Sequence, residues 1–100
     1  MSTSTNYALR FHADALKEWN KLAGAIQLQF LNKLDDRLVQ PRIPSAAISG
    51  AKDCYKIKLR KAGMRLVYRV DDKVVVVTVL SVGKRDKNEA YRTALLRIHD

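Results

Sequence analysis

The chain is poor in the residues that staple, bend or anchor a protein. Of its 100 residues one is cysteine, two are proline and four are glycine. The lone Cys54 excludes an internal disulfide and any zinc site built from several cysteines. The longest apolar run, Val74 to Leu80, is interrupted by Thr78 and is far too short to cross a bilayer. The polar start Met-Ser-Thr-Ser-Thr-Asn has neither a basic n-region nor an apolar h-region, so no secretory signal is expected and cytoplasmic residence is the simplest reading. There is no internal repeat and no low-complexity segment. What remains, 47% hydrophobic and 29% charged, fits a single soluble globular domain over residues 1–100. Residues 1–6 are expected to be a disordered tail.

Acidic residues are also scarce, ten against nineteen Lys and Arg, for a net charge of +9. The excess is uneven. Residues 1–50 hold six basic and four acidic residues, whereas residues 51–100 hold thirteen and six. That asymmetry points to a polyanionic partner for the second half, although a well-solvated basic surface has the same total. The pattern from Tyr55 to Leu66 is more informative. In an extended strand alternate side chains point to opposite faces, so Tyr55, Ile57 and Leu59 share one face while Lys56, Lys58 and Arg60 share the other. Lys61-Ala62-Gly63 supplies a short turn, and Met64 to Val70 returns with alternation restored. A hairpin with an apolar underside and cations above is a platform for a polyanion, RNA foremost.

The flanking segments complete an α+β domain in the order β-α-α-β-β-β-α, with an antiparallel sheet and helices on one face. Tyr7 to Phe11 reads as a short strand. Leu16, Trp19, Leu22 and Ala23 recur at helical spacing until Gly24 breaks the helix. Ile26, Phe30, Leu34 and Leu38 form the stripe of a second helix ending near Val39, widened by Leu31. Pro41 and Pro44 start a loop. After a turn at Asp71-Asp72, the β-branched run from Val74 to Leu80 predicts a central strand covered on both faces. Gly83-Lys84-Arg85 reads as a loop. Asp86 with Glu89 resembles a capping box for a last helix carrying Tyr91, Ala94, Leu95 and Ile98 on one side.

Several segments together resemble the RelE toxins of bacterial toxin–antitoxin modules. They are Ala15-Leu16-Lys17-Glu18-Trp19, Pro41-Arg42-Ile43, Asp53-Cys54-Tyr55-Lys56-Ile57-Lys58-Leu59-Arg60, Gly63-Met64-Arg65-Leu66-Val67-Tyr68 and Ser81-Val82-Gly83-Lys84-Arg85. The resemblance spans nearly the whole chain in matching order, and implies a fold like that of small microbial ribonucleases. It implies a messenger-RNA endoribonuclease that enters the vacant ribosomal A site and cuts the codon there by attack of a ribose 2′-OH. It also implies a cognate RelB-like antitoxin with an acidic or amphipathic segment that covers or displaces the last helix. No cofactor, metal or membrane is called for.

By that resemblance Lys58 is the general base, helped by neighbouring cations that disfavour its charged form. Lys56 and Arg65 stabilise the transition state, and Arg85 stabilises the departing 5′-oxygen. Tyr91 stacks on or orients the nucleotide. Arg60, Lys61, Lys84, Lys87 and Arg92 contact ribosomal RNA phosphates. The family lacks the histidine–glutamate pair of microbial ribonucleases, and His12 and His99 are read as surface or capping residues. Trp19 is read as core, and Cys54 is given no chemistry. Met64 stands where some relatives have an aromatic residue. Without the resemblance, Lys56 and Lys58 read more simply as a solvated strand face, Arg65 as a partner of Asp71 or Asp72, and Tyr91 as core. Two other functions stay open: a ParE-like gyrase inhibitor on the same fold, and a non-catalytic ribosome- or RNA-binding module.

Overall fold

The computed structural model describes residues 6–86 and 89–98. The first five residues of the expected tail, Lys87 and His99 lie outside the described residues. The elements are β1 (Ala8–Phe11), α1 (Ala13–Asn20), α2 (Gly24–Val39), a 3-10 turn (Pro44–Ala46), β2 (Cys54–Leu59), β3 (Met64–Asp71), β4 (Val76–Lys84) and α3 (Glu89–Arg97). Their order is the one the sequence pattern predicts.

The sheet runs β1-β4-β3-β2. It is mixed rather than antiparallel, because β1 lies parallel to β4. The long connection between them leaves strand direction free, and alternation within a strand carries no sign of it. The helices also cover both faces rather than one. On one face Ala15, Trp19, Phe30 and Leu34 pack on Ile57, Leu66, Tyr68, Val77 and Val79. Trp19 sits between Phe11 and Phe30, at centroid distances of 5.3 and 6.1 Å. On the other face Ala90 and Ala94 of α3 cover Cys54, Val67 and Leu80, with Tyr91 and Ile98 partly buried beside them. β3 and β4 are apolar on both sides, so the second face needs its own cover. Leu95, expected on the buried side, is 47% exposed, and Ala90 takes that place.

Boundaries shift for local reasons. Gly24 opens α2 instead of ending α1; the break is Lys21 to Ala23, with Ala23 extended. β4 begins at Val76, because the Asp71 carboxylate accepts the amides of Lys73 and Val74 and draws the first valines into the turn. Val75 in that turn has φ of 55°. At its far end β4 continues through Gly83 and Lys84, which pair with Arg65 and Met64, so the expected loop there is strand.

One irregularity decides where side chains point. β3 and β4 pair Val67 with Ser81 but Tyr68 with Val79, leaving Leu80 as an extra residue. Val77 and Val79 before this bulge face the α1–α2 cluster, and so does Val82 after it. The bulge thereby turns Gly83 and the residues in phase with it toward the α3 face.

Polar contacts fasten α3. The Arg97 guanidinium makes a two-pronged pair with Glu18, at 2.9 Å for each prong, and also donates to the Leu80 carbonyl at 2.8 Å. Glu18 Oε1 additionally accepts the Val82 amide at 3.0 Å, beyond the end of the β1 ladder. The Ser81 hydroxyl donates to the Ala90 carbonyl at 2.6 Å, and Arg69 donates to the Ile98 carbonyl. At the other end of the sheet Arg42 ties the loop to Asp53, Tyr55 and Asp72.

Candidate active site

β2 and β3 place Lys58 directly opposite Arg65, and Arg65 directly opposite Gly83 of β4. Gly83 offers no side chain there. Lys56 lies two residues before Lys58, on the same face. Arg85 follows β4 in phase with Gly83, its amide donating to the Gly63 carbonyl at 2.9 Å, and the bulge at Leu80 sets that phase. Gly63 has φ of 65°, the left-handed conformation that the hairpin turn needs. Together Lys58, Leu59, Arg60, Met64, Arg65 and Arg85 line a cleft of about 180 Å³. Among the described residues its lining holds four cations and no carboxylate.

Such crowding acts on the lysine. The Lys58 amine is pushed below its ordinary range, first by the charge of Lys56, then by desolvation, then by Arg65 and Arg60. Arg85 shares the cleft but is not among those charges, whereas Arg60 is. A base for a hydroxyl proton needs this shift, since an ordinary lysine stays protonated at neutral pH. Asp72, the suggested competitor for Arg65, is held by Arg42 and the Tyr7 hydroxyl at the opposite end of the strand.

Tyr91 projects from α3 beneath these cations. The Arg65 guanidinium lies 4.9 Å and the Lys56 amine 5.8 Å from its ring centroid, within cation–π range. Its hydroxyl is buried with no hydrogen-bond partner among the described residues, and burial pushes its pKa up. The ring thus serves as a seat for two cations.

Of the residues expected to meet ribosomal RNA, Arg60 joins the cleft. Lys61, Lys84 and Arg92 are exposed at the hairpin turn, the end of β4 and α3. Lys84 pairs with Met64, a residue of the α1–α2 face, and so leaves the sheet on the side away from Lys58. His12 caps α1, its Nδ1 accepting the Asp14 amide at 3.2 Å. Cys54 is buried, which raises its thiol pKa. Among the described residues no group of three His, Cys, Asp or Glu could hold a metal, and no helix is long and apolar enough to cross a membrane.

Sequence pattern alone misses Arg37. It stands three residues after Leu34 and seven after Phe30, a cation on the apolar stripe of α2. Its NH1 donates to the buried Tyr68 hydroxyl at 2.8 Å and to the Lys56 carbonyl at 3.2 Å, steadying the strand that carries both lysines. An arginine on an otherwise apolar helical stripe is the signal that could have found it.

The profile of the ParE toxin of type II toxin–antitoxin systems matches residues 9–89. The mRNA interferase toxin RelE of Escherichia coli K12 is 51% identical over 92 residues, covering 92% of this chain and 97% of the relative. The mRNA interferase RelE of Shigella flexneri matches to the same extent. Among solved structures, a mutant of E. coli toxin RelE in the free state has a TM-score of 0.86 at 49% identity, covering 93% of this chain and 98% of that one. A chain of the intact E. coli RelBE toxin–antitoxin complex has a TM-score of 0.78 at 51% identity, covering 81% and 99%.

Proposed function

Because the chain belongs to the RelE/ParE family of type II toxins, we propose that its cationic cleft cleaves messenger RNA on the ribosome and so inhibits translation. The observation that carries the reading is the cleft, whose described lining sets Lys58 among Arg60, Arg65 and Arg85 with no carboxylate, and the charge of Lys56 foremost lowers the Lys58 pKa.

In this reading Lys58 takes the proton from the ribose 2′-OH. The oxygen attacks the adjacent phosphorus as the bond to the 5′-oxygen breaks, giving a 2′,3′-cyclic phosphate and an alkoxide that takes a proton from water to become the 5′-hydroxyl. Arg65 grips the non-bridging oxygens with its fork of donors, Lys56 adds charge, and both act on the transition state. Arg85 stabilises the leaving 5′-oxygen by charge, since a guanidinium is a poor proton donor. Tyr91 orients Arg65 and Lys56, and a nucleotide stacks on its ring only by displacing them. The ribosome supplies the bent codon that free RNA does not present. Arg60, Lys61, Lys84, Lys87 and Arg92 supply affinity for ribosomal RNA with little base preference.

A cytoplasmic site of action follows from a ribosomal target. The partner that silences the protein is a RelB-like antitoxin, whose acidic or amphipathic segment answers the excess of nine positive charges. A gyrase inhibitor on the same scaffold has no need of a cleft that sets a lysine among three arginines. The test is primer extension on a defined message in a reconstituted translation mixture, with and without ribosomes. Wild type is expected to cut inside A-site codons only when ribosomes are present, and Lys58→Ala to bind ribosomes without cutting. Intact message with folded wild-type protein would refute the nuclease and turn attention to gyrase. Rapid cutting of naked RNA would refute the ribosome requirement.

A further inference from the structure

Lys58 and Arg60 belong to a second hollow as well. It is an open groove of about 350 Å³ whose remaining walls are Arg37, Ser45, Ala46 and Lys56. Like the cleft, it has four cations and no carboxylate in its lining. β2 is the edge strand of the sheet, and the chain segment beside it pairs only as far as the bridge between Ala47 and Tyr55. From Lys56 onward no strand among the described residues pairs with this edge, and Arg37 reaches it at the Lys56 carbonyl. Both hydrogens of Arg37 NH1 are engaged by Tyr68 and the Lys56 carbonyl, which leaves the donors on Nε and NH2 for an anion.

We infer that this groove is a second phosphate subsite, which holds the linkage next to the one being cut on the same message strand. The inference rests on the nuclease reading and extends it. Three features select the message. Four cations, one hydroxyl and one methyl group line the groove, with no carboxylate among the described residues, the composition of a backbone track rather than a base pocket. Lys56, Lys58 and Arg60 recur at every second residue, about 6.6 Å apart along the strand, so the cations follow the edge in a row away from the cleft. The same two side chains, Lys58 and Arg60, wall both hollows, so an anion in the groove lies one side chain away from the anion in the cleft. Affinity for neighbouring linkages would then hold the scissile one in register with Lys58.

Arg37 cannot be the probe, because replacing it would unseat Tyr68. Ser45 is exposed at the groove wall and can be. Ser45→Glu and Ser45→Lys are compared with wild type on programmed ribosomes, using messages that carry a single uncharged methylphosphonate linkage on either side of the cut. On unmodified message Ser45→Glu is expected to slow cleavage roughly tenfold at low salt, and less at high salt, while Ser45→Lys matches or exceeds wild type. Neutralising the linkage that occupies the groove is expected to slow wild type and to erase the difference between Glu and Ser. If Ser45→Glu cleaves like wild type, the inference fails. It fails equally if the Glu penalty persists with each neutral linkage, which would assign the groove to ribosomal RNA. If wild type leaves unmodified message intact, the nuclease reading falls and takes this inference with it.

Discussion

Glu18 is the residue whose loss is expected to cost most outside the main apolar core. From the last turn of α1 its carboxylate receives both prongs of Arg97 from α3 and accepts the Val82 amide of β4. The pair is largely shielded, with the Arg97 side chain 14% and the Glu18 side chain 32% exposed. Glu18→Ala would remove the carboxylate partner of a half-buried guanidinium and the acceptor of a backbone N–H at once. A buried donor left unpaired costs about 1–3 kcal/mol, and breaking a fully buried ion pair costs about 3–5 kcal/mol. For a pair this shielded but not fully buried, a combined loss of roughly 2–4 kcal/mol is expected. In a domain of this size about 1 kcal/mol moves the melting temperature by about 4–8 °C, so the midpoint should fall by roughly 10–25 °C. Urea denaturation of wild type, Glu18→Ala, Arg97→Ala and the double mutant closes a cycle. A coupling energy above about 1 kcal/mol is expected, because the two side chains touch. A Glu18→Ala loss within about 0.5 kcal/mol, or strict additivity in the cycle, would refute the reasoning and reduce the pair to a surface contact.

Val75→Gly should stabilise the fold by about 1 kcal/mol in the same denaturation assay, because a β-branched residue at φ of 55° is strained where glycine is not. Tyr68→Phe should destabilise by about 1–3 kcal/mol, since the buried hydroxyl both donates to the Pro41 carbonyl and accepts from Arg37. Lys56→Gln should shift the onset of cleavage to higher pH in a pH–rate profile. The base must lose its proton to act, Lys56 is the largest influence lowering the Lys58 pKa, and removing that charge lets Lys58 hold its proton longer. An unchanged profile would detach Lys58 from the base role.

The cationic face was readable before any coordinates because its signal is local. Lys56 and Lys58 alternate with Tyr55, Ile57 and Leu59, and a strand turns that alternation directly into two faces. Trp19, Phe30 and Leu34 announced the core by the same logic at helical spacing. The layering was less legible. Ala90 and Ala94, which dock α3, carry little hydrophobic signal, while Leu95 carries much and faces solvent. The direction of β1 depends on a partner nearly seventy residues away, as the pairing of Ala8 with Val76 shows. The limits of β4 were hidden because a run of valines apolar on both faces has no phase to read. Arg37 gains its meaning only from the folded chain, because its partners, the Tyr68 hydroxyl and the Lys56 carbonyl, lie on other elements.

The extra residue at Leu80 makes the active face depend on parity. Substitutions along β4 alter one side chain at a time, and the surrounding pairs absorb them. A deletion at the bulge itself would restore regular pairing with β3 and keep Gly83 opposite Arg65. A deletion between Ser81 and Arg85 would still leave a well-formed sheet, yet it would send Arg85 to the α1–α2 side. A second deletion or insertion between the bulge and Arg85 would bring the arginine back. Length changes between the bulge and Arg85 should therefore be tolerated in matched pairs and silence the protein singly, even where the chain folds as well as before.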